Sequence, residues 1–191
     1  MSKNKKDGHG GGKAGVRSEK EMRAFIESWG LTLLKTQKHF IDHYGSRTEG
    51  LRMWRETMIR PIPSKYHRLS TAKTKYGRLR RYQTDGYIPE LNLIVEMKYS
   101  ESKGTTEEKV HKDLLKIMEG VYTNELDSHL LYIFFGPNSL DAFDFEMFEM
   151  NFDEARNAGN PHCQKVTVIR DDSDELERLR DYLAPKQMAA K

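Results

Sequence analysis

The chain has a single cysteine, Cys163, among its 191 residues, so no internal disulfide can form. No cluster of cysteine and histidine has the spacing of a zinc site. No apolar run approaches the roughly 18 residues that a membrane span needs. The first residues, MSKNKKDGHGGGKAG, lack the apolar block of a secretory signal. These absences exclude a disulfide scaffold and a membrane-embedded chain, and an intracellular, cytoplasmic setting is expected. A phosphate-cradling P-loop is missing too. GHGGGKAG has neither its spacing nor a strand before it, so no nucleotide cofactor is expected.

What remains is 37% hydrophobic and 32% charged, enough for one ordinary domain with a real core. The net charge of +3 conceals an asymmetry. Residues 1–80 hold 19 Lys and Arg against 7 Asp and Glu, while residues 81–191 hold 13 against 22. Residues 47–81 alone carry 11 basic and 2 acidic residues. Such a block suits a polyanion, because each phosphate it neutralises releases counterions. Tyr66 and Tyr76 lie among Lys73, Lys75, Arg78, Arg80 and Arg81, and rings mixed with cations suit nucleic acid. The alternative is a solvated surface without a partner. Residues 1–15, rich in Gly and Lys, read as a disordered basic tail, and residues 16–191 as one domain whose segment 46–81 is the basic contact region.

The element order follows from periodicity and punctuation. Ser18 and Glu21 form a capping box for a first helix that buries Met22, Phe25, Ile26 and Trp29 and stops at Gly30. A second helix is expected over 31–44. Residues 46–80 resist assignment, with Pro61 and Pro63 breaking any helix there. Residues 78–84 and 91–99 read as two strands of a hairpin, turning around Gly86, Pro89 and Glu90. Thr105 and Glu108 cap a helix whose stripe is Val110, Leu114, Ile117 and Val121, with Lys109, Lys112 and Lys116 on another face. Strands are expected over 129–137 and 165–171, with helical segments over 140–155 and 173–183. The sum is a mixed α/β (α+β) fold, a central mixed sheet flanked by helices.

One strand carries chemistry. Glu96 and Lys98 in LNLIVEMKY are two apart and share a face, whereas Val95 and Met97 take the other. A carboxylate and an ammonium in so apolar a strand are costly without a partner. A hairpin would return Asp85 beside Glu96. Two carboxylates brought together repel, and a divalent cation between them removes the repulsion. Hard oxygen donors with room for water suit Mg²⁺. The competing readings are an ion pair on the solvent face of an edge strand for Glu96 and Lys98, and an Asp-Gly turn for Asp85.

Asp85, ten intervening residues, then Glu96-Met97-Lys98 resembles the D…(D/E)-x-K signature of the PD-(D/E)XK nuclease superfamily. Thr84 stands where proline often precedes the aspartate. Gly104-Thr105-Thr106-Glu107-Glu108-Lys109 resembles a loop that follows the signature in some restriction-like members. The resemblance spans roughly residues 15–137. It implies a restriction endonuclease-like fold, with Asp85, Glu96 and the Met97 carbonyl holding Mg²⁺ (Mn²⁺ substituting) and Lys98 orienting the attacking water. A first-helix carboxylate would assist, Glu19 at the edge of the buried stripe or, second, Glu21. Lys73, Lys75, Arg78, Arg80, Arg81, Lys103 and Lys109 would contact duplex DNA. The implied activity is a Mg-dependent DNA endonuclease, most closely a type II restriction-type enzyme acting as a homodimer. The alternatives are a repair, recombination or branched-DNA nuclease, and a non-catalytic nucleic-acid-binding module.

Overall fold

The computed structural model describes residues 20–61, 81–99, 105–135, 143–170 and 181–184. The expected 1–15 tail, the Ser18 cap and most of the basic segment's second half lie outside the described residues.

Helix α1 covers residues 20–28, and Gly30, at φ 72°, follows its end. Helix α2 is Gln37–Tyr44, not 31–44. Thr36 explains the late start. Its backbone is extended and its side chain accepts a hydrogen bond from the His39 N–H, satisfying one of the helix's orphan donors. Leu31, Leu33 and Leu34 are thereby left to an extended, buried segment, and Leu34 bridges to Tyr87. Gly45, at φ 63°, ends α2, and Ser46 caps α3, Arg47–Met58. This helix occupies sequence that periodicity left unassigned. Gly50 lies inside it because α2 crosses there: a Cβ on Gly50 would sit 2.6 Å from the Cα of Ile41.

Strands β1, Ile59–Pro61, and β2, Arg81–Gln83, form a small antiparallel pair. Among the described residues the main sheet has four strands in the order β3-β4-β5-β6. They are β3 Gly86–Ile88, β4 Leu93–Tyr99, β5 His129–Phe135 and β6 Val166–Arg170. Strand β3 runs antiparallel to β4, while β4, β5 and β6 are parallel. Each parallel neighbour is reached through a helix, α4 (Thr105–Met118) and α5 (Phe143–Asn157), as parallel pairing requires. The first strand of the hairpin is therefore displaced from its expected place. Residues 81–83 pair with β1, and the turn is a 3-10 segment at Pro89–Leu91 closed by Asn92 at φ 47°. Pro89 presets its φ and Asn tolerates the left-handed region, so the reversal includes Pro89 and Glu90 as expected, while Gly86 belongs to β3.

Alternation along the strands sorts the two faces. Leu93, Val95, Met97, Leu131, Ile133 and Ile169 pack with Met22 and Ile26 of α1 and with Leu183. Ile94, Leu130, Tyr132, Phe134 and Val166 pack with Val110, Leu114 and Ile117 of α4 and with Phe148 and Phe152 of α5. The result is a mixed sheet flanked by helices on both faces. Among the described residues, no helix is long and apolar enough to cross a membrane.

The α2–α3 crossing yields a test. Alanine in place of Gly50 gains about 1 kcal/mol of helix propensity. It also drives a methyl into the backbone of Ile41, which cannot yield as a flexible side chain would. Overpacking of this kind costs roughly 1–3 kcal/mol. Gly50→Ala should therefore lower the melting temperature in a thermal scan; an unchanged or raised midpoint would refute the crossing.

Candidate active site

Glu96 and Lys98 project from β4 towards α4, on the face opposite Val95 and Met97. Strand β4 lies between β3 and β5, and Glu96 is only 4% exposed. An ion pair on the solvent face of an edge strand is thereby excluded. Lys98 Nζ stands 3.1 Å from Glu96 Oε2 and 5.7 Å from the centre of the Tyr132 ring.

Asp85 arrives from the start of β3. Thr84 before it is buried, donates its N–H to the Met58 carbonyl at 3.0 Å and donates its hydroxyl to the Thr57 carbonyl. Asp85 itself donates its N–H to the Val95 carbonyl at 3.1 Å and accepts the Met97 N–H on Oδ2 at 2.8 Å. The carboxylate thus replaces a backbone acceptor at the end of a short strand. In an extended strand the N–H and C=O of one residue point to the same neighbour, so Met97 turns its carbonyl to the Asp85 edge as well. Asp85 is close enough to Glu96 to oppose its ionisation.

A third carboxylate completes the cluster. Asp113 of α4 is 2% exposed. Its Oδ2 accepts the Tyr132 hydroxyl at 2.8 Å and lies 3.2 Å from Lys98 Nζ, and its Oδ1 is paired with Lys116. Lys116, grouped with the outward lysines by spacing, turns inward here and lies over the Tyr82 ring at 4.4 Å. Asp113 was legible in outline. It falls three residues after Val110 and four before Ile117, an acid set inside an apolar stripe.

The charges respond to burial. Desolvation pushes the Glu96 carboxyl up to about 8, with Asp85 and Asp113 adding to the rise and Lys98 opposing it. Burial works against the Lys98 charge, but Glu96, Asp113 and Asp85 outweigh it and hold the ammonium above the usual lysine value. Burial likewise opposes ionisation of Asp113, yet Lys98, Lys116 and the Tyr132 hydroxyl bring its pKa below the ordinary carboxylate value. Burial and then Glu96 raise the Tyr122 phenol, whose buried hydroxyl makes no hydrogen bond of good geometry.

The other expected residues are only partly placed. Glu19, Lys73, Lys75, Arg78, Arg80 and Lys103 lie outside the described residues, as does the side chain of Lys109. The described part of α1 covers the face of β4 opposite Glu96, and Glu21 is exposed on it. Arg81 is exposed on β2. Within the basic block, Arg60 is not available to a polyanion. It is 3% exposed and donates to the carbonyls of Arg55, Glu56 and Thr123, closing the C-terminus of α3. Arg52 is paired with Glu49. Cys163 is buried. A cavity of about 240 Å³ opens between the α4–β5 and α5–β6 loops, sharing Tyr122 with this cluster but none of Asp85, Glu96 and Lys98.

The donor set admits a hard cation. Oε2 of Glu96 is taken by Lys98 and Oδ2 of Asp85 by the Met97 N–H, and the Tyr122 hydroxyl also lies against the Glu96 carboxylate. Among the described residues, no group of three or more His, Cys, Asp or Glu closes on one point. Asp113 is committed to Lys116, Tyr132 and Lys98. An ion held here would have two carboxylate ligands and would complete its shell with backbone carbonyl, water or substrate oxygen, as Mg²⁺ commonly does. Comparison with known families, curated proteins and solved structures finds no match to this chain.

The raised Glu96 predicts a pH dependence of stability without divalent ions. Between its ordinary 4.5 and about 8, the folded chain holds a proton that the unfolded chain has lost. Stability therefore falls as pH rises through that window, and the full penalty is present above it. Lys98 and Asp113 shift outside it, the one upward from 10.5 and the other downward from 3.8. Glu96→Gln in EDTA should be more stable than wild type at pH 9, by about 1–3 kcal/mol, the scale of an uncompensated buried group. The difference should shrink at pH 5, as read by denaturant unfolding. Equal stabilities at both pH values would contradict the burial of an ionisable Glu96.

Proposed function

We propose that the protein is a divalent-metal-dependent nuclease that hydrolyses phosphodiester bonds in DNA, a member of the PD-(D/E)XK superfamily with a restriction endonuclease-like fold. The observation that carries this reading is the gathering of Asp85, Glu96 and Lys98 in one cluster at β4. Asp85 and Glu96 would hold Mg²⁺, and the Met97 carbonyl shares their edge. When bound, the ion supplies polarisation of a phosphoryl oxygen and a lowered pKa for a water molecule.

Lys98 has a separate task. Its ammonium is anchored by two carboxylates and stays charged, so it donates hydrogen bonds and does not take up a proton. It orients the attacking water and stabilises negative charge on the phosphate. The water oxygen bonds to phosphorus, the bond from phosphorus to the 3′ oxygen breaks, and one proton of the water passes by way of solvent to the departing oxygen, so the products carry a 5′-phosphate and a 3′-hydroxyl. The exposed arginines Arg47, Arg55 and Arg81, with the lysines and arginines of residues 62–80, would grip the duplex backbone. A restriction-type enzyme of this size would cut both strands as a homodimer.

Incubation with plasmid DNA and Mg²⁺ tests the reading. Wild type should convert the plasmid to cut forms, and EDTA should stop it. Glu96→Ala and Lys98→Ala should each lose at least about 100-fold in rate, the ordinary worth of one catalytic group. Undiminished cutting by both variants would remove the site assignment. Fragments of discrete size would mark a restriction-type enzyme, and cutting only at forks or junctions a branched-DNA nuclease. Salt-sensitive binding without hydrolysis would mark a binding module instead.

A further inference from the structure

We propose that Asp113 is a positioning residue for Lys98, fixing the ammonium from outside the strand that carries it; this rests on the nuclease reading of the site. Lysine has a long side chain with many rotamers, and one contact leaves its end free to swing about that contact. Lys98 Nζ has two contacts, Glu96 Oε2 at 3.1 Å and Asp113 Oδ2 at 3.2 Å, from β4 and α4 respectively. Glu96 is also needed by the cation, so it cannot serve as a dedicated anchor. Asp113 can.

Asp113 is itself immobilised on both oxygens. Lys116, one turn along the same helix, holds Oδ1, and the buried Tyr132 hydroxyl donates to Oδ2 at 2.8 Å. Tyr132 is stacked on Phe148 of α5 and tilted against Phe134, so its hydroxyl is fixed by the core. The core thus holds Tyr132, Tyr132 and Lys116 hold Asp113, and Asp113 holds Lys98. A carboxylate buried only to satisfy a helix would not need to face the one lysine of the neighbouring strand.

The test has two arms. In the first, the Lys98 ammonium is observed by ¹H–¹⁵N NMR in the folded, metal-free protein and assigned by its loss in Lys98→Met. Asp113→Asn should shift or broaden that signal. Should Asp113→Asn not fold, Tyr132→Phe, which keeps the ring and removes one hydrogen bond from Asp113, should shift it in the same direction. A signal unchanged in the folded variant overturns the proposal, whether or not the protein cuts DNA. In the second arm, Asp113→Asn should lower kcat on plasmid DNA about 10- to 100-fold with KM little changed, and should have almost no further effect in a Lys98→Met background. Equal losses in both backgrounds would show that Asp113 acts independently of Lys98 and overturn it. Absence of Mg²⁺-dependent cleavage by wild type would defeat the nuclease reading, leaving the first arm to decide Asp113.

Discussion

The structure turns on the cost of placing charge on the covered face of an inner strand. Glu96 and Lys98 sit where β4 would otherwise continue an apolar ladder between β3 and β5. Isolated charges at such depth are expensive, and pairing repays the expense only when the remaining donors and acceptors are satisfied. The surrounding side chains answer that demand. Asp113 comes from α4, Lys116 and Tyr132 hold it, and Asp85 closes the open edge of the strand. Burial still weighs on Glu96, whose carboxyl is pushed up to about 8, with Asp85 and Asp113 adding to the rise.

Backbone arrangement brings Asp85 to that cluster. Strand β3 is only three residues long, so the antiparallel ladder ends where Asp85 begins. The Asp85 carboxylate then accepts the Met97 N–H that a longer β3 would have paired. Thr84, tied to the end of α3, fixes the approach, and Arg60 seals the carbonyls of that same helix end. Helices α2 and α3, joined through the close approach at Gly50, therefore support the acid that enters the site from β3. At the opposite end of the strands, Asn92 links the hairpin turn to the loop before β5 through Tyr87, Ser128 and the Leu126 carbonyl.

Much of this was readable from the sequence, for reasons that differ by element. Strand β5 announces itself as a nearly continuous apolar run and β4 and β6 as strongly apolar ones, because both of their faces are covered. Helix α4 was marked by its stripe, and Glu96 and Lys98 by their two-residue spacing. Helix α3 was hidden because a crossing glycine, Gly50, and a sparse apolar face look like loop. The turn at Pro89 and Glu90 was expected, but the strand before it was set at 78–84, because three-residue β3 is too short to show a pattern and residues 81–83 pair with β1 instead. Asp113 was passed over because a single acid in an apolar stripe usually lies at its edge. Only the fold showed that the stripe faces Lys98. The inward turn of Lys116 and the withdrawal of Arg60 from the basic block depend on packing that local spacing does not encode.

The central claim is that Asp85 and Glu96 together hold a divalent cation. The most direct measurement is anomalous diffraction from crystals of the metal-free protein soaked with Mn²⁺. The account predicts one strong peak within bonding distance of both carboxylates, with the Lys98 ammonium beside it and still facing Asp113. A peak bound elsewhere, or none at that point in a protein that cleaves DNA, would contradict it.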